Sequence, residues 1–242
     1  MSNKDNLFAT PLNQVSDFSF DEAVADVFPD MISRSVPGYQ TIIHTIGQLA
    51  ASHVQPRSMV YDLGCSLGAA SLSVSRSCPA QHCQIAAIDS SPAMVERCKR
   101  TVGSFQLPNP IEVSEGFAQT VTMKNASMVI MNFTLQFIPP PERAAMLQSI
   151  YDALLPGGIF VLSEKIRHGN TAGETLINDL HLNFKRQNGY SELEISQKRA
   201  ALENVMLIDT FADHDQRLND AGFSDVVMWY RCFNFMSLVA IK

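Results

Sequence analysis

VYDLGCSLGAASL, residues 60–72, runs from an apolar strand into an acid, Asp62, and then breaks into glycines, with a small-residue helix start behind them. Gly64 and Gly68 stand four apart, and Ser66 lies between them. A β-branched run that gives way to such a turn and then to a helix marks the carboxyl edge of an open α/β sheet, where ligands bind.

The sequence on either side repeats that alternation. SMVYDLG, CQIAAIDSS, PIEVSEG, ASMVIMNFTL and GIFVLSEK read as strands. AASLSVSRSC, SPAMVERCKRTVGSF and PPERAAMLQSIYDALLPGG read as the helices between them. Ser91 is a predicted N-cap followed by Pro92 at the first helical position. The helix from Pro140 is predicted to close at Pro156-Gly157-Gly158. The near-continuous apolar run in ASMVIMNFTL predicts a strand covered on both faces. The fold expected is a single α/β domain, 1–242, with a doubly wound, mostly parallel Rossmann-like sheet and a C-terminal β-hairpin turning near Arg231 to Asn234.

Two regions fall outside this rhythm. Residues 1–55 are expected to form an N-terminal helical cap, interrupted at Pro29 and Pro37. Residues 166–208 carry no strand signal and read as an inserted helical pair joined at Asn188-Gly189, serving as lid, dimer surface or both. The α/β core is then 56–165 with 209–242.

The net charge of −6 argues against a nucleic-acid backbone as the primary ligand. No apolar run reaches the roughly 20 residues that span a bilayer, so no membrane association is expected. The N-terminus lacks the basic start and apolar core of a signal peptide. Five cysteines (65, 78, 83, 98, 232) at no framework spacing suit reduced thiols in the cytoplasm. CPAQHC, 78–83, sets two thiols near His82 but offers no second ligand pair, and no metal site is expected.

Three readings of the glycine turn compete. GCSLG, 64–68, matches the Gly-x-Ser-x-Gly elbow of hydrolases, with Ser66 as nucleophile, but no acid-then-histidine pair follows it, and His214 sits in a polar helix. A dinucleotide would bring a pyrophosphate beside Asp62, where like charges repel. A cationic ligand suits the acid better.

DLGCSLG resembles the acid-x-Gly-x-Gly-x-Gly motif of class I S-adenosylmethionine-dependent methyltransferases, with Ser66 in place of the second glycine. IAAIDSS, ASMVIMNFTLQFI and LPGGIFVLSEK continue the likeness. It implies that Gly64, Cys65 and Ser66 approach S-adenosyl-L-methionine and that Asp89, with Ser90, holds the ribose hydroxyls. EGFAQ carries Phe117 where many of these enzymes have an adenine-binding acid, so Phe117 is expected to pack on the base with the Ala118 amide facing it. Asn132, after the fourth strand, is expected to point at the ligand.

The flanks are more specific. VFPDMISRSVPGY, 27–39, and FKRQNGYSELEISQKRAALENVM, 184–206, closely resemble the bacterial carboxy-S-adenosyl-L-methionine synthase family of tRNA wobble-uridine modification. That likeness covers essentially the whole chain. It implies conversion of S-adenosyl-L-methionine and prephenate to carboxy-S-adenosyl-L-methionine, phenylpyruvate and water. The product then passes to a separate tRNA carboxymethyltransferase, with no direct contact between this protein and nucleic acid. It implies a homodimer, a cofactor contact at Tyr39, and Arg199 on the new carboxylate. Lys198 lies beside Arg199, and Arg34, Lys165 and Arg186 are candidates to join it; periodicity alone makes QKR a solvated helix face. No histidine or lysine stands beside the motifs as an obvious base. The implied chemistry is therefore substrate-assisted: hydroxide released from prephenate deprotonates the S-methyl group, and the ylide traps CO2. Cys65 has no flanking cation to activate its thiol and is expected to be a small loop residue. An ordinary small-molecule methyltransferase, a non-catalytic cofactor-binding partner of an RNA-modifying enzyme, and a hydrolase remain the alternatives.

Overall fold

The computed structural model describes residues 3–80, 83–169 and 171–242. Five parallel strands, β1 (Met59–Leu63), β2 (Gln84–Asp89), β3 (Ile111–Glu115), β4 (Ala126–Asn132) and β5 (Leu154–Lys165), are followed by β6 (Asp225–Cys232) and β7 (Phe235–Ile241). The sheet order is β3-β2-β1-β4-β5-β7-β6. β7 enters antiparallel beside β5 and pairs β6 as a terminal hairpin. The strand order reverses between β1 and β4, so the ends of those strands leave a crevice.

Both faces of the sheet are covered. Met128 and Ile130 of β4 join Val60, Ile85, Ile159 and Val161 against α2 (Tyr39–His53) and α3 (Ala69–Ser77). Val129 and Met131 face the other way, against Met146, Leu147 and Ile150 of α5 (Pro140–Ala153) and Leu218 of α8 (Phe211–Ala221). Period-2 alternation thus puts apolar side chains on both faces of a central strand, as its apolar run predicted. α4 (Pro92–Gly103) starts where expected: the Ser91 hydroxyl caps the Met94 amide at 3.1 Å and Pro92 follows.

Two boundaries differ from expectation. α1 (Glu22–Ser35) runs unbroken through Pro29. Pro29 has no amide to give the helix, a loss of about 3 kcal/mol in an isolated helix. The Asp21 carboxylate caps the Val24 amide, and Val24, Ala25, Val27 and Met31 are buried along the helix, which offsets that loss. The second difference is at α5, which ends at Ala153 rather than at the Pro-Gly-Gly turn. Leu154 already pairs with Ala126, and Pro156-Gly157-Gly158 lie inside an irregular start of β5. The Gly157 amide bonds Lys242 O and the Lys242 amide bonds Gly158 O, each at 3.0 Å, so the C-terminal strand draws this turn into the sheet.

α6 (Thr171–Gln187) and α7 (Glu192–Leu202) occupy the segment between β5 and α8, and the turn at Asn188-Gly189 separates them. The N-terminal segment crosses α7: the Gln197 side chain accepts from the Leu12 amide and donates to Phe8 O and Thr10 O, and the Phe18 amide bonds Ala201 O. Among the described residues, no helix is long and apolar enough to cross a membrane. The five cysteines are free thiols, and His82 of CPAQHC lies outside the described residues.

Candidate active site

The turn after β1 is built from three left-handed residues. Gly64, Ser66 and Gly68 have φ of 81°, 51° and 83°. A Cβ on Gly64 would stand 2.2 Å from Thr134 Oγ1, so glycine is required there by contact as well as conformation. Ser66 takes the left-handed conformation despite its side chain. Its amide donates to Asp89 Oδ2 at 2.8 Å, which holds the loop tip against the end of β2. Ser66 Oγ has Met94 Sδ at 3.6 Å as its partner, not a histidine, so no base stands ready to make it a nucleophile. His214 is buried in α8, among groups that include Asp209 and Arg217, and does not line the cavity described next.

The turn forms one wall of a cavity of about 720 Å³, within the range of small-molecule sites. Tyr39, Gly64, Cys65, Ser66, Asp89, Ser90, Phe117, Ala118, Asn132 and Arg199 all line it. The tertiary structure therefore brings the ten residues expected at the cofactor to one space.

Acids crowd the end near the glycine turn. Asp62 is buried and accepts from the Ser71 amide at 3.1 Å and hydroxyl at 2.6 Å. Desolvation still raises its pKa to about 6, against the effect of those bonds. Burial also raises Asp89, opposed by the bonds from Ser91, Ser66 and Ser90. The Ser91 amide donates to Asp89 Oδ1 at 2.9 Å and the Ser66 amide to Oδ2 at 2.8 Å, and a carboxylate with about four acceptor sites keeps capacity for a ligand hydroxyl. Phe117 is 64% exposed, so its ring presents an apolar face that the protein does not cover. Ala118 opens a 3-10 turn, Ala118–Thr120, and its amide has no acceptor within that turn. Asn132 Oδ1 is buried with no hydrogen-bond partner. An orphaned acceptor beside a glycine cradle fits a ligand that brings donors, as the amino and hydroxyl groups of an adenosyl ligand do. Tyr39 begins α2 behind Gly38, whose φ of 69° admits Tyr230 OH where a Cβ would sit. Burial, then Asp62, raises the Tyr39 phenol, so it stays protonated.

Cations line another part of the wall. Lys165 ends β5, Lys185 lies on α6, and Lys198 and Arg199 lie on α7. Burial lowers the Lys165 pKa, and Arg199 adds to the effect. Lys185 is pushed down to about 7 by burial and then by Lys198, Lys165 and Arg199. His181, one turn before Lys185, falls to about 3 through burial first and is neutral; with Ser35 O as the acceptor at 2.9 Å, its Nε2 carries the proton. Of the other candidates, Lys165 alone joins Arg199 as an open cation. Arg34 is spent on Asn188 O, Asp5 O and Asp30, and lies 3.8 Å over the Tyr190 ring. Arg186 pairs with Glu192 on the surface. Lys198 is buried on Asp5, Ser35 and Tyr190 rather than solvated.

Sequence reasoning missed Lys185 and His181. Glu174, Asn178, His181, Leu182 and Lys185 follow helical spacing on one face of α6 and all line the cavity, while Leu176 and Leu180 are exposed. A mostly polar stripe turned inward, with Leu176 and Leu180 outward, is the signal that could have found them.

A family model for a methyltransferase domain matches residues 60–158, the segment from β1 into β5. The carboxy-S-adenosyl-L-methionine synthase of Alteromonas mediterranea is 65% identical over 242 residues, covering 100% of both chains. That of Salmonella paratyphi C is 56% identical over 100% of this chain and 98% of its own. The chain belongs to the carboxy-S-adenosyl-L-methionine synthase family. This synthase family thus carries the methyltransferase fold, and solved structures agree at the level of fold. Human N-acetylserotonin methyltransferase aligns with a TM-score of 0.62 and 19% identity, over 100% of this chain and 63% of that one. In this member of the carboxy-S-adenosyl-L-methionine synthase family, acids and cations share one cavity, a charge arrangement suited to joining a cationic ligand to an anionic one.

Proposed function

We propose that the protein converts S-adenosyl-L-methionine and prephenate to carboxy-S-adenosyl-L-methionine, phenylpyruvate and water, and so supplies the carboxymethyl donor for tRNA uridine-34 modification. The observation that carries this reading is the division of one cavity between Asp62 and Asp89 at the glycine turn and Lys165, Lys185 and Arg199 elsewhere in its wall. S-adenosyl-L-methionine brings a sulfonium and a ribose to the acids and supplies the methyl carbon that is carboxylated. Asp89 takes the ribose hydroxyls, Phe117 and the Ala118 amide the adenine, and Asn132 and Tyr39 the remaining polar groups. The backbone of Gly64, Cys65 and Ser66 lies against the cofactor.

Prephenate is a dianion, and the new product carries a carboxylate that S-adenosyl-L-methionine lacks. Arg199 offers that carboxylate a bidentate fork. Aromatic walls from Phe18, Phe20, Phe133 and Phe137 exclude water around the reacting groups. Neutral His181 and the thiol of Cys65, whose pKa is raised by its bond to Cys98 and by burial, supply no strong base or nucleophile. The proton of the methyl group is taken by the hydroxide that prephenate releases, which is why water is a product. The protein acts through orientation and anion binding. We further propose a cytoplasmic homodimer that hands its product to a tRNA carboxymethyltransferase without itself binding RNA, in keeping with its net charge of −6.

The test is mass spectrometry of the nucleoside product after incubation with both substrates. The reading requires S-adenosylmethionine to gain the mass of one CO2 and phenylpyruvate to appear. S-adenosylhomocysteine as the product would mean an ordinary methyltransferase instead.

A further inference from the structure

Four cations line this partly desolvated wall; Lys198 is paired with Asp5, and the other three, Lys165, Lys185 and Arg199, repel one another unless an anion joins them. Among the described residues, none of Lys165, Lys185 and Arg199 has an ion pair. Glu174, an acid of α6 in the same wall whose charge acts on Lys165, already accepts from the His168 amide and Asn178 Nδ2 with its two oxygens. The three come from β5, α6 and α7, so the fold converges on this cluster from separate elements. A single new carboxylate, matched to Arg199, leaves two lysines without a task.

Charge bookkeeping of the proposed reaction supplies one. One C–C bond of the co-substrate breaks as CO2 leaves and its ring aromatises. The ring hydroxyl departs with its electron pair and takes a proton from the S-methyl group, giving water. The methyl carbon forms a new C–C bond to CO2. Electrons balance without an oxidant. One carboxylate therefore moves and the other stays on the co-substrate, and each needs its own partner.

Resting on the function proposed above, we propose that Lys165 and Lys185 seat the carboxylate that stays on the co-substrate, while Arg199 seats the one that moves. Two point charges from different elements fix the retained group in place, and the guanidinium fork is kept for the group that changes owner. The lowered basicity of Lys185, caused by burial and then by Lys198, Lys165 and Arg199, agrees with a seat built for an anion. The charges that act on it are Lys198 and Arg199 of α7 and Lys165 of β5, with His181 one turn before it on α6 and Glu174 in the same wall. Lys198 and Arg34 are committed to Asp5 and Asp30. An arriving carboxylate restores the proton on Lys185, so binding near pH 7 takes up protons.

The experiment compares wild type with Lys165→Met, Lys185→Met and Lys185→Arg. It measures the KM for prephenate and, by calorimetry, the Kd values for prephenate, S-adenosylmethionine and carboxy-S-adenosylmethionine. Each Met variant should raise KM and Kd for prephenate at least about tenfold and leave both nucleoside affinities within about twofold, as loss of one charge-assisted bond to one ligand requires. Lys185→Arg should recover most of the affinity. Prephenate titrations in two buffers of different ionisation enthalpy should show proton uptake by wild type and none by Lys185→Met. Lys185→Gln serves as a second neutral variant if the Met form does not fold. An unchanged KM and Kd for prephenate, or an equal loss of carboxy-S-adenosylmethionine affinity, overturns the lysine seat. Wild-type enzyme that binds prephenate through these lysines yet forms no carboxylated product defeats the proposed reaction and spares the seat.

Discussion

The Ser66 amide donates to Asp89 Oδ2 at 2.8 Å, so the tip of the loop after β1 hangs on the end of β2. The same carboxylate holds the Ser91 amide at 2.9 Å, and Ser91 Oγ in turn caps α4. Asp89 thus shapes the turn and, in the proposed function, also binds the ribose.

Asp89→Ala should weaken S-adenosylmethionine binding by about 1.5–3 kcal/mol for each charged hydrogen bond lost. It should also lower stability, by about 1–3 kcal/mol, because the part-buried Ser66 and Ser91 amides lose their acceptor. Calorimetry and urea titration read the two effects separately. Unchanged nucleoside affinity would remove the ribose role.

Ser66→Ala should retain turnover. The hydroxyl meets only Met94 Sδ, and the bond that matters is made by the backbone amide, which alanine keeps. Complete loss of product formation with normal cofactor affinity would restore Ser66 as a nucleophile.

The Asp62 carboxyl, raised to about 6 by burial, predicts a pH dependence. Its folded pKa lies above the unfolded value, so ionising it costs stability as pH rises through 6, and the cost vanishes below the unfolded pKa. A cationic ligand reverses the preference. S-adenosylmethionine affinity should therefore rise from pH 5 towards a plateau above about 7, and Asp62→Asn should flatten that profile. A profile of Asp62→Asn that matches wild type would assign the dependence elsewhere.

Arg199→Ala should discriminate between ligands. S-adenosylmethionine has no carboxylate on the methyl carbon, so its affinity should change little. Carboxy-S-adenosylmethionine should lose about 1.5–3 kcal/mol, the value of a hydrogen bond to a charged group. Lysine should rescue in part, since a point charge lacks the fork. Paired titrations decide it: equal losses would place Arg199 on the shared nucleoside or in the packing of α7.

Asp5→Ala should destabilise the N-terminal crossing of α7. Asp5 is buried with Lys198 Nζ at 3.4 Å and accepts from Tyr190 OH as well. Removing one partner strands a buried ammonium, which costs about 3–5 kcal/mol. Limited proteolysis should then cut within the first 20 residues sooner than in wild type.

Local sequence determined the alternation of strands and helices, the cap and proline at Ser91-Pro92, the strained turn at Gly64 to Gly68 and the terminal hairpin. Those features depend on side-chain periodicity and backbone preference within a few residues, so they are legible without a fold. Asp89 belongs with them because it ends a strand beside the turn. The tertiary structure alone decided that α1 survives Pro29 and that Pro156-Gly157-Gly158 joins β5, since each outcome depends on packing or pairing with distant chain. It also decided the fates of Lys198 and Arg199. Adjacent residues on a helix are turned about 100° apart, so Lys198 is buried on Asp5 while Arg199 stays exposed and, among the described residues, without an ion pair, though both reach the cavity wall. Lys165, Lys185 and Arg199 meet only because β5, α6 and α7 bring separate stretches together, and charges so far apart in sequence carry no local sign of their meeting.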